Sequence, residues 1–271
     1  EVNFLKLVAT MLVGKLDEPF LTLALDSVVG LVDHVVVQDN GMSPENVERV
    51  LESSADISVV SHDFVDFSTN RNIACARARE LGADWILRVD ADEVHRPEQA
   101  EGMKRLLESA RESCIVGGLY HHMITPWHIQ DDQRDLTMFH RPEISWGGDV
   151  HEGLQCRDSR RVDYFIHHYG YVRPPERVYE SWMLYERIGG KRQRGYSPAV
   201  QFEISLCGGR IEHLLTGRKA LVKRCPVGHP EITQGVVVHR YAPEDPPVGV
   251  MLLAQAVELP LELGVEADGH G

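Results

Sequence analysis

The chain has 271 residues, of which 43% are hydrophobic and 25% are charged, the proportions of an ordinary globular protein. The 41 Asp and Glu residues exceed the 28 Lys and Arg residues, so the formal net charge is −13 at pH 7. Because binding to a phosphate backbone needs a basic surface, this balance argues against nucleic acid as a partner.

The five cysteines are far apart in the sequence and form no CxxC pair. This pattern disfavours a disulfide framework and a four-thiolate zinc site, and it favours reduced thiols. No apolar run reaches the roughly 18–20 residues that a membrane span needs, and residues 1–4 lack the basic start of a signal peptide. We therefore expect a cytoplasmic protein without a membrane span.

The first half of the chain alternates short apolar segments with segments of helical periodicity. Strands are predicted over residues 4–10, 34–38, 57–61 and 85–89, and helices over 18–29, 44–52, 70–81 and 97–113. Ser43 and Pro44 are a typical helix start. Ser68 or Thr69 is expected to cap the third helix, which Gly82 ends.

This alternation indicates an α/β fold, with a parallel sheet covered by helices on both faces. Ligands of such sheets bind beyond the carboxyl ends of the strands. Asp39 follows the second predicted strand, and the sequence Asp-Ala-Asp-Glu at 90–93 follows the fourth. Position alone therefore predicts a ligand site at this edge of the sheet.

The second half of the chain is less regular. Strands are predicted over 114–123 and 136–141, a helix over 176–188, a loop over 243–247 and an apolar helix over 251–263. We expect residues 1–113 to form a nucleotide-binding half and 114–190 a mixed-sheet acceptor half of the same domain. Residues 191–271 would be a C-terminal extension.

The acidic residues at 90–93 are the sharpest chemical feature of the sequence. Carboxylates so close together repel one another unless a cation or hydrogen-bond donors lie between them, and Mg²⁺ or Mn²⁺ prefers such oxygen ligands. Alternatively, they start a loop and cap the next helix. Arg71 opposes the helix dipole unless a phosphate or carboxylate pairs with it. Asp39 could contact a base or ribose, or serve as a turn residue before Gly41.

Histidines are frequent in the middle of the chain. The segments 146–152 and 166–171 combine them with glycines and aromatic residues, a composition typical of loops that approach a ligand closely. The motifs HExxH, GxSxG, GxGxxG and GxxxxGK[ST] do not occur in the sequence.

Five segments in order resemble the family 2 glycosyltransferases, over residues 8–171. They are the strand–loop–helix at 9–27, VDHVVVQDNG, FSTNRNIA, WILRVDADE and WGGDVHEGL. Such enzymes have the GT-A fold and use nucleotide-sugar donors. The resemblance therefore implies a GT-A-like, mostly parallel nucleotide-binding sheet flanked by helices, with a mixed-sheet and helical acceptor side.

The resemblance also implies a role for individual positions. Nucleotide-binding residues would be Thr10, Asp39, Arg71 and Asp90; metal ligands for Mn²⁺ or Mg²⁺ would be Asp92 with His168 or His151; and the catalytic base would be Glu152 or Asp149. The reaction implied is metal-dependent transfer of a sugar, by default from UDP, to an acceptor hydroxyl with inversion. The first loop, at 14–18, departs from the shorter Asn-Glu turn of many relatives, and nothing after Lys191 is recognisable.

Other classes of function stay open at this point. A nucleotidyltransferase acting on a sugar phosphate would carry a Gly-rich basic loop after the first strand, of which residues 10–15 are a poor version. A metal-dependent hydrolase built on the histidines would cleave phosphoesters or amides without a nucleotide. A non-catalytic binding module is disfavoured, because a carboxylate cluster without a ligand costs stability.

Overall fold

Thirteen strands and four α-helices make up the computed structural model, which describes residues 5–122, 128–130, 134–148, 152–170, 172, 180, 210–213 and 218–224. The strands are β1 (Leu7–Val13), β2 (His34–Asp39), β3 (Ile57–Ser61), β4 (Trp85–Asp90), β5 (Glu93–His95), β6 (Cys114–His122), β7 (His128–Gln130), β8 (Arg134–His140), β9 (Trp146–Gly147), β10 (Gly153–Leu154), β11 (Ser159–His168), β12 (Arg210–His213) and β13 (Arg218–Arg224). The helices are α1 (Leu21–Asp26), α2 (Pro44–Glu52), α3 (Phe67–Glu80) and α4 (Ala100–Ser109), which a 3₁₀ turn at Pro97–Gln99 precedes.

Eight of the strands form one sheet, in the order β3-β2-β1-β4-β8-β6-β11-β5. The first four are parallel, and so are β6 and β11, whereas β8 runs antiparallel to both β4 and β6, and β5 antiparallel to β11. The strands β9 and β10 form a separate hairpin, and β12, β13 and β7 form a small antiparallel sheet. The parallel strands predicted for the first half of the chain and the mixed strands predicted for the second half are both present.

Both faces of the parallel strands β1, β2 and β4 are buried. Val8 and Val36 pack beneath α3, while their neighbours Ala9 and Val37 belong to the larger cluster that includes residues of α1, α2 and α4. Because successive side chains of a strand point to opposite faces, burial of every position requires helices on both sides. This arrangement confirms the two-faced α/β architecture.

Several element boundaries differ from the predicted ones. The first strand begins and ends three residues later, and the first helix is shorter at both ends. The cap of α3 is Asp66 rather than Ser68 or Thr69, because its carboxylate accepts a hydrogen bond from the backbone N–H of Thr69 at 2.7 Å. The predicted end of this helix is confirmed, since Gly82 has a φ of +79°.

The expectation of reduced thiols is wrong for two of the five cysteines. Cys114, at the start of β6, forms a disulfide with Cys156, which precedes β11. The parallel pairing of β6 with β11 brings Ser159 opposite Cys114 and so places Cys156 within reach. A search for local CxxC spacing cannot detect such a pair. Cys75 is a buried free thiol.

Other predictions fall largely on residues outside the described part of the chain. These are the loop at 243–247, the apolar helix at 251–263 and most of the helix at 176–188, of which only Glu180 is described, in a helical conformation. The proposed domain boundaries stay predictions. Among the described residues, no helix is long and apolar enough to cross a bilayer.

Candidate active site

The parallel strands β1, β2 and β4 end side by side, and their registers decide which residues meet. Leu12 of β1 is paired with Gln38 of β2 and also with Asp90 of β4. Val13 is paired with Asp39. The two aspartates predicted from strand ends therefore lie at one edge of the sheet.

Asp39 shapes the turn that follows β2. Its Oδ1 accepts hydrogen bonds from the backbone N–H groups of Gly41 and Met42 at 2.8 and 2.7 Å, and its Oδ2 accepts one from the Ser61 hydroxyl at 3.2 Å. Gly41 has a φ of +86°, a conformation that favours glycine. The alternative interpretation of Asp39 as a turn residue is thus correct, and its half-buried carboxylate still faces the carboxyl edge of the sheet.

Arg88 forms ion pairs with two of the three acidic residues in the 90–93 segment. Its Nη1 donates to Asp90 Oδ2 at 2.5 Å, and its Nη2 donates to Glu93 Oε1 at 2.5 Å. Glu93 is completely buried, and its Oε2 accepts the backbone N–H of Asp90 at 3.0 Å. The three acidic residues at 90–93 therefore do not form a single metal site, because the carboxylate of Glu93 is buried and binds Arg88 and the backbone of Asp90.

The two carboxylates respond to this environment in opposite ways. Burial acts to raise the pKa of Asp90, but Arg88 and Arg71 outweigh it and hold that pKa well below its usual value. Burial raises the pKa of Glu93 to about 7 despite Arg88, since Asp90 and Asp92 add negative charge nearby. Asp90 is consequently a stable anion at neutral pH.

Arg71 connects the strand ends to the second half of the fold. Its Nη2 donates to Asp90 Oδ1 at 2.8 Å, and its Nε donates to Glu152 Oε1 at 2.6 Å. The guanidinium also lies 5.0 Å from the ring centroid of Trp146, within cation–π distance. Its third nitrogen, Nη1, is buried and meets no acceptor among the residues that the structure describes. Of the two kinds of partner expected for Arg71, a phosphate or a carboxylate, the structure shows carboxylates, those of Asp90 and Glu152.

Glu152 lies at the end of a β-hairpin. Trp146 and Gly147 of β9 pair with Leu154 and Gly153 of β10, so residues 148–152 form the connection. Gly148 has a φ of +95° in this connection. The hairpin projects the carboxylate of Glu152, which is 13% exposed, onto Arg71.

Asp92 and His168 meet through the pairing of β5 with β11. His168 is opposite Glu93 in that antiparallel pair, and the backbone N–H of Tyr169 donates to Asp92 O at 2.8 Å. His168 Nε2 consequently lies 3.4 Å from Asp92 Oδ1. A Cβ at Gly170 would lie 2.5 Å from His168 Cε1 and 3.0 Å from Asp92 Oδ2, so glycine keeps this position open.

The structure thus brings together five of the nine candidate site residues directly: Arg71, Asp90, Asp92, Glu152 and His168. Asp39 lies along the same edge. Thr10 is 3% exposed, beside the Cys75 thiol, in the interior of the sheet. Asp149 and His151 lie outside the described residues.

Sequence reasoning missed Arg88 and Asn72. The single arginine in the strand WILRVD was a usable signal, because a buried arginine needs carboxylate partners, and its partners Asp90 and Glu93 follow within five residues. Asn72 gave no signal of its own, since its partner is the distant backbone of Trp146.

The family model for Glycosyl transferase family 2 matches residues 14–169, which is more than half of the chain. The chain therefore belongs to this family, and the GT-A-like fold class predicted from the sequence is confirmed. No curated protein sequence matches the chain.

Several solved structures are similar to this chain. They include TarS 1–349 from S. aureus in complex with UDP, with a TM-score of 0.46 and 14% identity over 65% of this chain and 63% of that one. Glucosyl-3-phosphoglycerate synthase from Mycobacterium tuberculosis, in complex with Mn²⁺, UDP and glucosyl-3-phosphoglycerate, has a TM-score of 0.35 and 17% identity over 42% of this chain and 44% of that one. HddC from Yersinia pseudotuberculosis has a TM-score of 0.40 and 9% identity over 66% of this chain and 99% of that one. The chain spans less than two thirds of each matched TarS chain, and 39% of the longest.

Proposed function

We propose that the protein transfers a sugar from a nucleotide-diphosphate donor to an acceptor hydroxyl, with inversion at the anomeric carbon. The observation that supports this function best is the meeting of Asp92 with His168 next to Asp90, at the carboxyl ends of the parallel strands. Carboxylate and imidazole side by side at this edge are suited to a divalent cation and, through it, to a diphosphate.

A divalent ion, Mn²⁺ or Mg²⁺, would be held by Asp92 and His168. Within the described residues no group of three or more His, Cys, Asp or Glu side chains could hold a metal ion. Two protein ligands nevertheless fit a nucleotide-dependent site, because such ions keep several positions for waters and substrate phosphates. When bound, the ion neutralises negative charge that develops on the leaving diphosphate.

The donor side would consist of Asp39, Arg71 and Asp90. Asp39 would accept hydrogen bonds from the base, and Asp90, held anionic by two arginines, from the ribose. The buried Nη1 of Arg71 is a donor that a ligand oxygen in the site would satisfy. UDP is the first nucleotide to test, by analogy with the family.

The acceptor hydroxyl must lose its proton as it attacks, and we assign the role of base to Glu152, with Asp149 as the alternative. The acceptor oxygen forms a bond to the anomeric carbon, while the bond from that carbon to the diphosphate oxygen breaks. The nucleoside diphosphate leaves with the bonding electron pair, and the proton passes to the carboxylate. A single displacement of this kind inverts the configuration.

The test is a thermal-shift series with UDP, GDP and dTDP, each with and without Mn²⁺. A ligand that binds the native state stabilises it by RT ln(1 + [L]/Kd), so the cognate nucleotide gives the largest shift. Asp92→Ala and His168→Ala should abolish the Mn²⁺-dependent part of that shift. Glu101→Ala, on the exposed face of α4, is the matched control and should leave it intact.

If no nucleoside diphosphate stabilises the protein, the proposed function is wrong. If the nucleotide binds but both site variants keep the Mn²⁺ response of the wild type, the metal assignment alone is wrong. Product analysis separates the other enzyme classes, because a nucleotidyltransferase releases pyrophosphate and a hydrolase acts without a nucleotide.

A further inference from the structure

Asn72 binds the main chain of one residue with both ends of its side-chain amide. Its Oδ1 accepts the backbone N–H of Trp146 at 2.9 Å, and its Nδ2 donates to the backbone carbonyl of Trp146 at 3.0 Å. Asn72 lies on α3 directly after Arg71, so the same helical turn carries the contact to the hairpin and the contact to Glu152.

Trp146 is the first residue of the hairpin that carries Glu152. An isolated two-stranded hairpin is marginally stable in water, so its position depends on what holds its ends. Beyond the pairing of β9 with β10, the hydroxyl of Ser68 donates to the carbonyl of Gly148, and the backbone N–H of Gln155 donates to Ser145 O at 3.0 Å. Asn72 satisfies both the backbone N–H and the backbone carbonyl of Trp146, the first residue of the hairpin, with a single side chain.

The Trp146 ring is fixed as well. It is 7% exposed, packs with Ala74 and Cys75 of α3, and lies edge-on to His140 at 5.9 Å between ring centroids. The start of the hairpin is therefore attached to α3 twice: the ring of Trp146 packs against the helix, and the backbone of Trp146 is bound by Asn72. Glu152 directly precedes the second strand of the hairpin, β10, and contacts the helix through Arg71.

From these contacts we propose that Asn72 is a positioning residue for the acceptor step: it places the hairpin so that the Glu152 carboxylate lies at the reaction centre. This inference rests on the proposed function, in which Glu152 takes the proton. Loss of the amide leaves the N–H and C=O of Trp146 without their partner and allows the hairpin to shift. Because a displacement of about 1 Å can cost 10²-fold in rate, the chemical step suffers while the donor side stays assembled.

The experiment compares Asn72→Ala and Asn72→Ser with the wild type and with Arg77→Ala, a control on the exposed side of α3. The rate is the release of UDP from a panel of UDP-sugars at saturation, with water as the acceptor, and binding of UDP with Mn²⁺ is measured by calorimetry. We expect kcat to fall about 10- to 100-fold in Asn72→Ala and less in Asn72→Ser, which keeps one hydroxyl. The Kd of UDP should stay within about twofold of the wild type.

A second measurement reports position without activity. Hydrogen exchange of peptides that cover 144–158 should accelerate in Asn72→Ala, while peptides of β4 should exchange as in the wild type. Unchanged exchange of the hairpin, or a Kd of UDP that weakens as much as kcat, would overturn the positioning role. If no nucleoside diphosphate binds the wild type but the hairpin exchange accelerates in the variant, the contact is real and the proposed function is wrong.

Discussion

Arg71 Nε donates to Glu152 Oε1 at 2.6 Å, and the two side chains are only 6% and 13% exposed. Through this ion pair, and through the second bond from Arg71 to Asp90, the helix α3 links the end of β4 to the hairpin that carries Glu152. The ion pair has two consequences. It fixes the position of the Glu152 carboxylate, and it makes the free energy of unfolding depend on residues of the candidate site.

The first prediction concerns the base. Glu152→Gln keeps an oxygen that can accept from Arg71 but cannot take a proton, so kcat should fall about 10²- to 10⁴-fold with little change in donor affinity. Release of UDP from UDP-sugars and calorimetry with UDP measure the two quantities. Asp149→Asn is the control: if it loses turnover while Glu152→Gln keeps it, the two roles are exchanged.

The second prediction concerns the energy of the Arg71–Glu152 pair. Arg71→Met removes one partner of a buried ion pair and should lower the free energy of unfolding by about 3–5 kcal/mol. The double variant with Glu152→Gln should lose less than the sum of the two single changes, because the carboxylate left behind is neutralised. Urea denaturation measures the cycle, and strictly additive losses would show that the two residues are not coupled.

The third prediction concerns pH. Burial lowers the pKa of His95 to about 3 and that of His140 to about 4, so both rings are neutral in the folded protein. Between those values and about 6.5 the unfolded chain binds more protons, and stability must fall as the pH is lowered from 7 to 5, on the order of 2 kcal/mol for each ring. Glu93 acts in the opposite direction, since its raised pKa favours the folded state at the lower pH.

The measurement is the Tm between pH 7 and pH 5. His140→Gln should flatten the dependence, because one of the two rings with a lowered pKa is removed, whereas His62→Ala on the surface should leave it unchanged. A slope in His140→Gln equal to that of the wild type would show that the ring is not held neutral.

The fourth prediction concerns the disulfide. The bond closes a loop whose ends are 42 residues apart in sequence, which corresponds to roughly 4 kcal/mol of stability in the chain-entropy description. Dithiothreitol should therefore lower the Tm of the wild type but not that of a Cys114→Ser/Cys156→Ser variant. Identical melting curves of the wild type with and without the reductant would argue against a formed bond. The predicted cytoplasmic location loses the support of reduced thiols, since cytosolic thiols are normally kept reduced.

The sequence predicted the residues at the strand ends better than the contacts between residues that are distant in the chain. Strand ends follow from local apolar periodicity, so Asp39 and Asp90 were placed at the carboxyl edge without any tertiary information. The encounter of Asp92 with His168 depends on β11 pairing with β5, and periodicity carries no register between distant strands. Family resemblance, rather than pattern, suggested that pair.

The acidic residues at 90–93 show what local reasoning lacks. Three carboxylates in four residues suggested a shared cation, yet Arg88 and Arg71 provide most of the neutralising charge. Arg88 precedes the acidic residues by only two positions. The direction of its side chain, however, follows from the buried face of β4, which the local sequence does not reveal. Of the three acidic residues, Asp92 is the one that meets His168, and it is the one to which we assign the metal ion in the proposed function.

The guanidinium of Arg71 over the indole of Trp146 has an optical consequence. Indole emission is sensitive to a nearby charge, and this ring lies 5.0 Å from a cation whose other contacts are the residues assigned to donor and base. Any event that redirects Arg71 changes the electric field across Trp146. Trp146, one of the four tryptophans of the chain, is thus a natural fluorophore beside Arg71, and its emission can report the occupancy of the site without a label.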